Sequence, residues 1–520
     1  MKKQYPKIAL VLVLVLTALV AMSGCTSKGN TNPATNDSAG KTDDAQTKEK
    51  PKPVTITYMT TEHGSWPLNQ DTPVLKKIEE TIGVRVEFIP LSSDSAEQKI
   101  NTVFASGEMP DCMNLGIAKI NQYGAKAFVA LDEYIENSMP NVKKLADAKY
   151  KMSVMNSDDH IYGIPLYGIN QIQMGLVLRG DLLEKYNLEK PKTIDDYEKV
   201  LRAFKNGDPN CIPVGTQPSF KGTLIPAYSP SFGLHQARMT IIDGKMVLNA
   251  ATDNYKELIT WLARLYADGL LDQEYVVRSL ASWEENIGLK VITGFTGYFA
   301  RSDMLNNGVL KDSGAYMTCI PPLEGPHGAK GSPAYAKVNT GYNTAVTKSC
   351  KNVDAAVKYI DFLFSDEGRI LTAWGIEGEH FTKNAKGERE LIDKAVYSDF
   401  TAAAKIGINQ QMFPRYWDPE FQMAAVGPQV REALGFLKGL YVEPLPNLNY
   451  SPEALQETSE IWATLETYID EYTHNVITGK DSISNWDNFQ NDIKKYKGDR
   501  YMELVNEAYS QYAAKLKAMN

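Results

Sequence analysis

Between residues 54 and 115 the chain alternates two kinds of segment, and this alternation restricts the fold more than any other feature of the sequence. Residues 54–59, Val-Thr-Ile-Thr-Tyr-Met, are β-branched and aromatic and read as a strand. Asp71-Thr72-Pro73 opens an amphipathic stretch that runs to Ile82 and stops at Gly83, the punctuation of a helix. Residues 84–89 alternate as a second strand, 96–105 form a second helix closed by Gly107, and 111–115 give a third strand. Strand, helix, strand, helix, strand with short joins predicts an α/β fold with a parallel sheet covered on both faces. Ligands of such sheets lie outside the carboxyl ends of the strands. The loops at 60–70 and 115–120 are therefore predicted to border a binding site.

After this unit the chain becomes more helical. Residues 181–186, 193–204, 255–268 and 353–364 carry apolar side chains at three- and four-residue spacing, as do 452–470 and 500–518. Thr193 and Asp196 form an acidic variant of the capping box.

The N-terminus is of another kind. Lys2, Lys3 and Lys7 precede an apolar run over 8–22, and Ser23-Gly24-Cys25 follows. A basic start, a short apolar core and small residues before a cut make a secretory signal peptide over 1–24. The run is shorter than the roughly 20 residues of a membrane-spanning helix. A cysteine behind two small residues resembles the lipobox of bacterial lipoproteins, with Met22 in place of the usual Leu. That resemblance implies that Cys25 receives a palmitate-bearing lipid anchor and becomes the new N-terminus. An ordinary secreted protein cut near this point, or an uncut anchor, is the alternative. Residues 26–53 contain no Val, Ile, Leu, Phe, Tyr, Trp or Met. Such a segment has too little to bury to offset the entropy of ordering, so 25–52 reads as a lipidated cysteine plus disordered tether.

Composition limits the partners. Hydrophobic residues make up 43% of the chain, with 28 Tyr and 7 Trp, which fits a globular body long enough for two lobes. Loss of the three signal lysines takes the formal charge from −8 to −11, and no basic stripe offers a nucleic-acid surface. Cys112, Cys211, Cys319 and Cys350 contain no C-x-x-C pair and read as free, buried thiols, although an extracellular setting also permits disulfides. The six histidines are scattered without an H-E-x-x-H or His/Cys cluster, so neither a metal nor a cofactor is expected.

Ordered blocks along the body carry a second resemblance. Ala105-Ser-Gly-Glu-Met-Pro-Asp111 is similar to an ASGxxPD signature, and Asp159-His-Ile-Tyr-Gly-Ile-Pro165 to a DGKxYGIP strand. Leu178-Arg-Gly-Asp-Leu-Leu183 with Pro191, Thr193 and 201–204 resembles an RxDWLxxL…PxT…LxAF block, with Leu182 in place of its Trp. Residues 361–368 with 374–378, and 477–489, resemble later blocks. Together they resemble family 1 of the extracellular solute-binding proteins, in the lipoprotein branch of Gram-positive bacteria that serves carbohydrate importers.

The resemblance implies a two-lobed, periplasmic-binding-protein-like clamp with a ligand cleft and a helical C-terminal region. By analogy the N-terminal lobe takes 53–166 and 336–384, and the C-terminal lobe 167–335 and 385–520. It further implies a monomeric substrate-binding lipoprotein of an ABC importer, held by Cys25 on the outer face of the cytoplasmic membrane. Such a protein captures a sugar or oligosaccharide, passes it to permease subunits and performs no chemistry. Some members carry a Ca²⁺ loop after the block holding Phe204. Here Asn206-Gly-Asp208 keeps one carboxylate where Ca²⁺ needs six or more oxygens, so Asp208 reads as a turn residue.

Sugars are held by aromatic stacking and by planar polar side chains. Trp66, Tyr167, Asn170 and Tyr298 are the expected contacts, with Trp283 and Trp417 as further aromatics in loop-like stretches. Arg179 either grips a ligand or pairs with Asp181. A peptide or small-solute receptor on a similar clamp, and a surface-anchored glycan-degrading enzyme, are the competing readings. The enzyme would need a carboxylate pair or an activated nucleophile, and no G-x-S-x-G turn is present.

Overall fold

A computed structural model of the chain describes residues 52–62, 67–92, 94–168, 174–217, 224–235, 238–332, 338–397, 399–408, 415–437, 439–440, 442 and 445–520. In chain order its strands are β1 (Val54–Glu62), β2 (Val84–Ser92), β3 (Cys112–Leu115), β4 (Ile164–Tyr167), β5 (Met174–Arg179), β6 (Gly215–Thr216), β7 (Met239–Ile242), β8 (Lys245–Leu248), β9 (Gly294–Tyr298), β10 (Met317–Ile320), β11 (Val338–Val346), β12 (Phe381–Lys383) and β13 (Arg389–Leu391).

The first sheet has the order β2-β1-β3-β11-β4. Its parallel part, β2-β1-β3, is the one that local punctuation predicts. Thr72 caps the helix Pro73–Ile82, its hydroxyl accepting from Leu75 N–H at 3.2 Å, and Gly83 ends it at φ 70°. Gly107, at φ 74°, ends the helix Ala96–Ser106 in the same way. β11 enters between β3 and β4, antiparallel to both.

Asp111 ties β3 to β1. Its carboxylate accepts from the Thr57 N–H and hydroxyl, both at 2.8 Å, while its own N–H donates to the Thr57 hydroxyl at 2.9 Å. Burial acts to raise the Asp111 pKa, but Thr57 and the Cys350 thiol outweigh it and hold the carboxyl below its usual range. A carboxyl lowered on folding adds stability above its unfolded value of about 4, and this is lost as pH falls through the folded value. The expected outcome is a steeper loss of unfolding free energy in the native protein than in Asp111→Asn as pH falls below about 4. Parallel denaturation curves at several pH values check it; equal slopes would remove Asp111 from the acid response.

The second sheet has the order β10-β5-β9-β6, with β5 antiparallel to both neighbours and β6 parallel to β9. Its core takes Leu176, Leu201, Leu258, Leu262 and the apolar faces of two long helices. The helix Pro452–Ile477 contributes Ile461, Leu465, Ile469 and Val476, and Gly498–Met519 contributes Tyr501 and Val505. The four expected buried cysteines, Cys112, Cys211, Cys319 and Cys350, are free thiols below the surface.

One expected boundary needs correction. Leu391, Val396, Ala403, Ile408 and Phe421 pack with Ile56, Ile164 and Ile360 in the core of the first sheet. The second lobe resumes only near Val426, which packs with Val177 and Phe295. Analogy with the family places residues after 385 in the C-terminal lobe, and no local pattern marks which sheet a short helix will cover.

The chain passes between the sheets after Tyr167, between β10 and β11, and between Phe421 and Val426. Where the first passage starts, the end of β4 is bonded to another stretch of the first lobe: Tyr167 N–H donates to Arg415 O at 3.0 Å, and Trp417 N–H to Tyr167 O at 2.7 Å. Beside them, the segment before the helix Pro452–Ile477 lies against the first lobe. Asn447 Nδ2 donates to Ser153 O at 3.0 Å and Asn449 Nδ2 to Met155 O at 2.8 Å, at the end of the helix Ala148–Val154. Lys515, on the last helix, pairs with Asp159.

Candidate functional site

Strand direction locates the cleft. β4 runs toward the first passage and ends at Tyr167, and β3, antiparallel to β11 like β4, ends on the same side. In the second lobe β5 starts at that passage. Because β9 is antiparallel to β5, with Met174 opposite Tyr298, the end of β9 returns to it; β6, parallel to β9, ends there too. The site therefore lies between the carboxyl ends of β1, β3 and β4 and those of β6 and β9, as expected for sheets of this kind.

Tyr167 and Trp417 meet on this edge. Both are half-buried. The Tyr167 ring stands edge-on to Tyr416, with centroids 5.3 Å apart at 82°. Burial, then the nearby Asp147, pushes the Tyr167 hydroxyl above its usual pKa, so it stays protonated and able to donate. Gly168, at φ 107°, lets the chain after β4 lie against residues 416 and 417: a Cβ there would lie 3.0 Å from Trp417 Cβ and 3.1 Å from Tyr416 Cδ2. Behind Trp417 the buried Arg415 guanidinium sits 4.2 Å from the indole centroid. Burial presses its pKa down to about 9, which leaves it cationic at neutral pH.

Asp418 anchors this stretch to the first lobe. Its carboxylate accepts from Arg369 Nη1 at 2.6 Å, Trp374 Nε1 at 3.2 Å and Phe421 N–H at 2.7 Å. Trp374 is thus buried and helps to position Asp418.

Tyr298, half-buried, ends β9 on the opposite side of the cleft. The next residue, Phe299, is buried and fills the space left by Gly175, where a Cβ would come within 2.5 Å of its ring.

Two expected contacts are placed elsewhere. Arg179 lies at the far end of β5, opposite the first residues of β10, because β5 runs away from the cleft. It is 4% exposed and bonds Asp181 through Nε at 2.7 Å and Nη2 at 2.6 Å, the pairing that was its alternative. Trp283 is not in a loop. It sits on the helix Leu280–Gly288, 0% exposed, edge-on to Phe295 at 5.1 Å. Its spacing of four from Ile287 places both on one buried face. Trp66, Asn170 and Cys25 lie outside the described residues.

Asp208 accepts from Asn210 N–H at 2.9 Å, which makes a local turn. Among the described residues no group of three or more His, Cys, Asp or Glu is arranged to hold a metal ion.

The model of the bacterial extracellular solute-binding proteins matches residues 70–370. The chain belongs to that family. Among its relatives is the fructooligosaccharide ABC transporter substrate-binding protein FusA of Streptococcus pneumoniae, 26% identical over 96% of this chain and 98% of the relative. Another is the polygalacturonan/rhamnogalacturonan-binding protein YtcQ of Bacillus subtilis, 23% identical over 72% of this chain and 74% of the relative. The same two-lobed fold is found in the alginate-binding protein AlgQ2 without calcium ion (TM-score 0.71, 23% identity, 89% of this chain and 99% of that one). It is found also in FusA in complex with kestose (TM-score 0.69, 23% identity, 88% and 99%).

Within this solute-binding protein, sequence reasoning passed over Arg415 and Arg301. The signal for Arg415 is the run Arg415-Tyr416-Trp417, a cation next to two aromatic rings. For Arg301, three residues after Tyr298, no motif marks it out. Among the described residues no helix is long and apolar enough to cross a membrane.

Proposed function

We propose that this solute-binding protein captures a sugar or oligosaccharide between its lobes and delivers it to the permease of an ABC importer. The observation that carries the proposal is the aromatic edge at the first passage: Tyr167, Tyr416 and Trp417 bonded together on one lobe, with Tyr298 across from them. Arg415 backs one face of the Trp417 indole, and the other face is the one offered to a sugar ring. Trp66 and Asn170, which follow β1 and β4 in the sequence, are further contacts in this proposal. The sugar ligands named for FusA and YtcQ support this class of cargo.

Ligand that touches both lobes binds the closed form more tightly and shifts the population toward it by no more than that difference. Cys25, freed by removal of 1–24, carries a lipid that holds a monomer on the outer face of the membrane of a Gram-positive bacterium. The tether lets the clamp find its permease by diffusion in two dimensions. Binding is reversible, with no bond made or broken.

Thermal-shift measurements on the mature protein test this reading against kestose, maltotriose, mannotriose, trigalacturonate, a peptide mixture and Ca²⁺. At a hundredfold excess over Kd a glycan adds about 2.7 kcal/mol, a shift of several degrees. Stabilisation by one or more glycans, recovered intact, is expected. Stabilisation by peptides alone, or turnover of the stabilising glycan, would sink the proposal.

A further inference from the structure

On the second lobe the cleft edge is built around a guanidinium. Arg301 lies in the first turn of the helix Ala300–Asn307, which begins just after Tyr298. Gln217, the residue after β6, is buried. With its amide oxygen turned toward Arg301, it accepts from Nη2 at 3.0 Å and Nε at 3.1 Å. Glu284, on the helix Leu280–Gly288, lies 3.3 Å from Nη1, which also meets Met304 Sδ at 3.8 Å.

Two glycines make the arrangement possible. A Cβ on Gly297 would come within 2.8 Å of the Gln217 amide, and one on Gly427 within 2.4 Å of Asp303 Oδ1. The second contact fixes the same helix to the landing of the third passage, where Gly427 N–H donates to Asp303 Oδ2 at 2.6 Å. Arg301 is thus held between the ends of β6 and β9 and the third passage, with 19% of its side chain exposed.

We infer that Arg301 is a specificity-determining residue of the cleft, donating to hydroxyl groups of a neutral sugar beside Tyr298. This rests on the sugar-binding reading above and names its substrate class. The guanidinium has five N–H donors in a rigid plane. Gln217 and Glu284 engage three of them, and Nη2 keeps a further N–H. Glu284 balances the positive charge, so what remains is a fixed donor with little net attraction for an anion. Hydroxyls fit that donor better than a uronate carboxylate, which would meet Glu284 at close range.

The test is isothermal titration of the mature protein with kestose, maltotriose, mannotriose and trigalacturonate. The native protein is expected to bind a neutral glycan more tightly than trigalacturonate. Arg301→Ala is expected to weaken that glycan at least tenfold with the melting temperature of the free protein little changed, and Arg301→Lys to fall between. Should Arg301→Ala fail to fold, Arg301→Gln takes its place. Glu284→Gln keeps Arg301 but removes its counter-charge, and is expected to raise trigalacturonate affinity relative to the neutral glycan several-fold. A purely structural Arg301 would not move that ratio. Native preference for trigalacturonate, unchanged affinity in the Arg301 variants, or an unchanged ratio in Glu284→Gln would each overturn the inference while leaving sugar binding intact. Failure of the native protein to bind any glycan would remove both, and shows before any variant is made.

Discussion

Replacing Asp418 by alanine is expected to lower unfolding free energy by about 3–5 kcal/mol, the range for breaking a buried ion pair from one side. The Asp418 side chain is 0% exposed and satisfies three donors at once. Its removal leaves the Trp374 indole N–H without that partner in the core and opens the first turn of the helix Pro419–Ala425. Arg369 is partly relieved, because it lies near the surface, pairs with Asp366 at 3.0 Å and sits over the Tyr416 ring at 5.5 Å. The loss should therefore fall toward the lower end of the range. Glycan affinity should fall as well, since Trp417 is the next residue back along the chain. Asp418→Asn, which can still accept from the indole and cap the helix, separates the charge from the hydrogen bonds. Urea denaturation measures all three proteins, and a change within about 0.5 kcal/mol for Asp418→Ala would show that the network does not hold this stretch.

Trp283→Ala should be as damaging for a different reason. A fully buried indole removed from a packed core costs about 3–5 kcal/mol, in lost transfer energy and in the cavity left behind. Trp283 packs among Phe295, Ile287 and Ile292 with no exposed surface. The expected outcome is a large fall in the urea midpoint, with glycan affinity of the protein that remains folded unchanged. Loss of affinity at full stability would return Trp283 to the list of ligand contacts.

The parts of the fold that could be read from sequence are those with local causes. Thr72, Gly83 and Gly107 state where helices begin and end, and the parallel β2-β1-β3 unit follows from them. β11 reaches its place from far along the chain, and nothing in residues 338–346 says that it lies between β3 and β4. The same holds for Leu391, Val396, Ala403, Ile408 and Phe421, whose allegiance to the first core depends on contacts with residues such as Ile56 and Ile164.

The candidate site divides in the same way. Tyr167 and Tyr298 end strands β4 and β9, and Trp417, which no motif marks, is bonded to Tyr167. Arg179 was misplaced because strand direction in the second sheet is set by pairing with β9 and β10, not by its own neighbours. For Trp283 a usable signal existed: with Ile287 it makes a four-residue spacing, obscured by the polar Glu284, Glu285 and Asn286 between them. Gln217 and Arg301 are distant in sequence and only a folded sheet brings them together.

The bonding of Tyr167 to Arg415 and Trp417 has a consequence for what moves when the clamp closes. Both partners lie on the first lobe, next to Asp418 and Phe421 in its core, and N–H···O bonds at 3.0 and 2.7 Å fasten the end of β4 to them. The three rings at 167, 416 and 417 then travel with that lobe as one piece. A ligand seated on them meets Tyr298 only when the second lobe turns toward it.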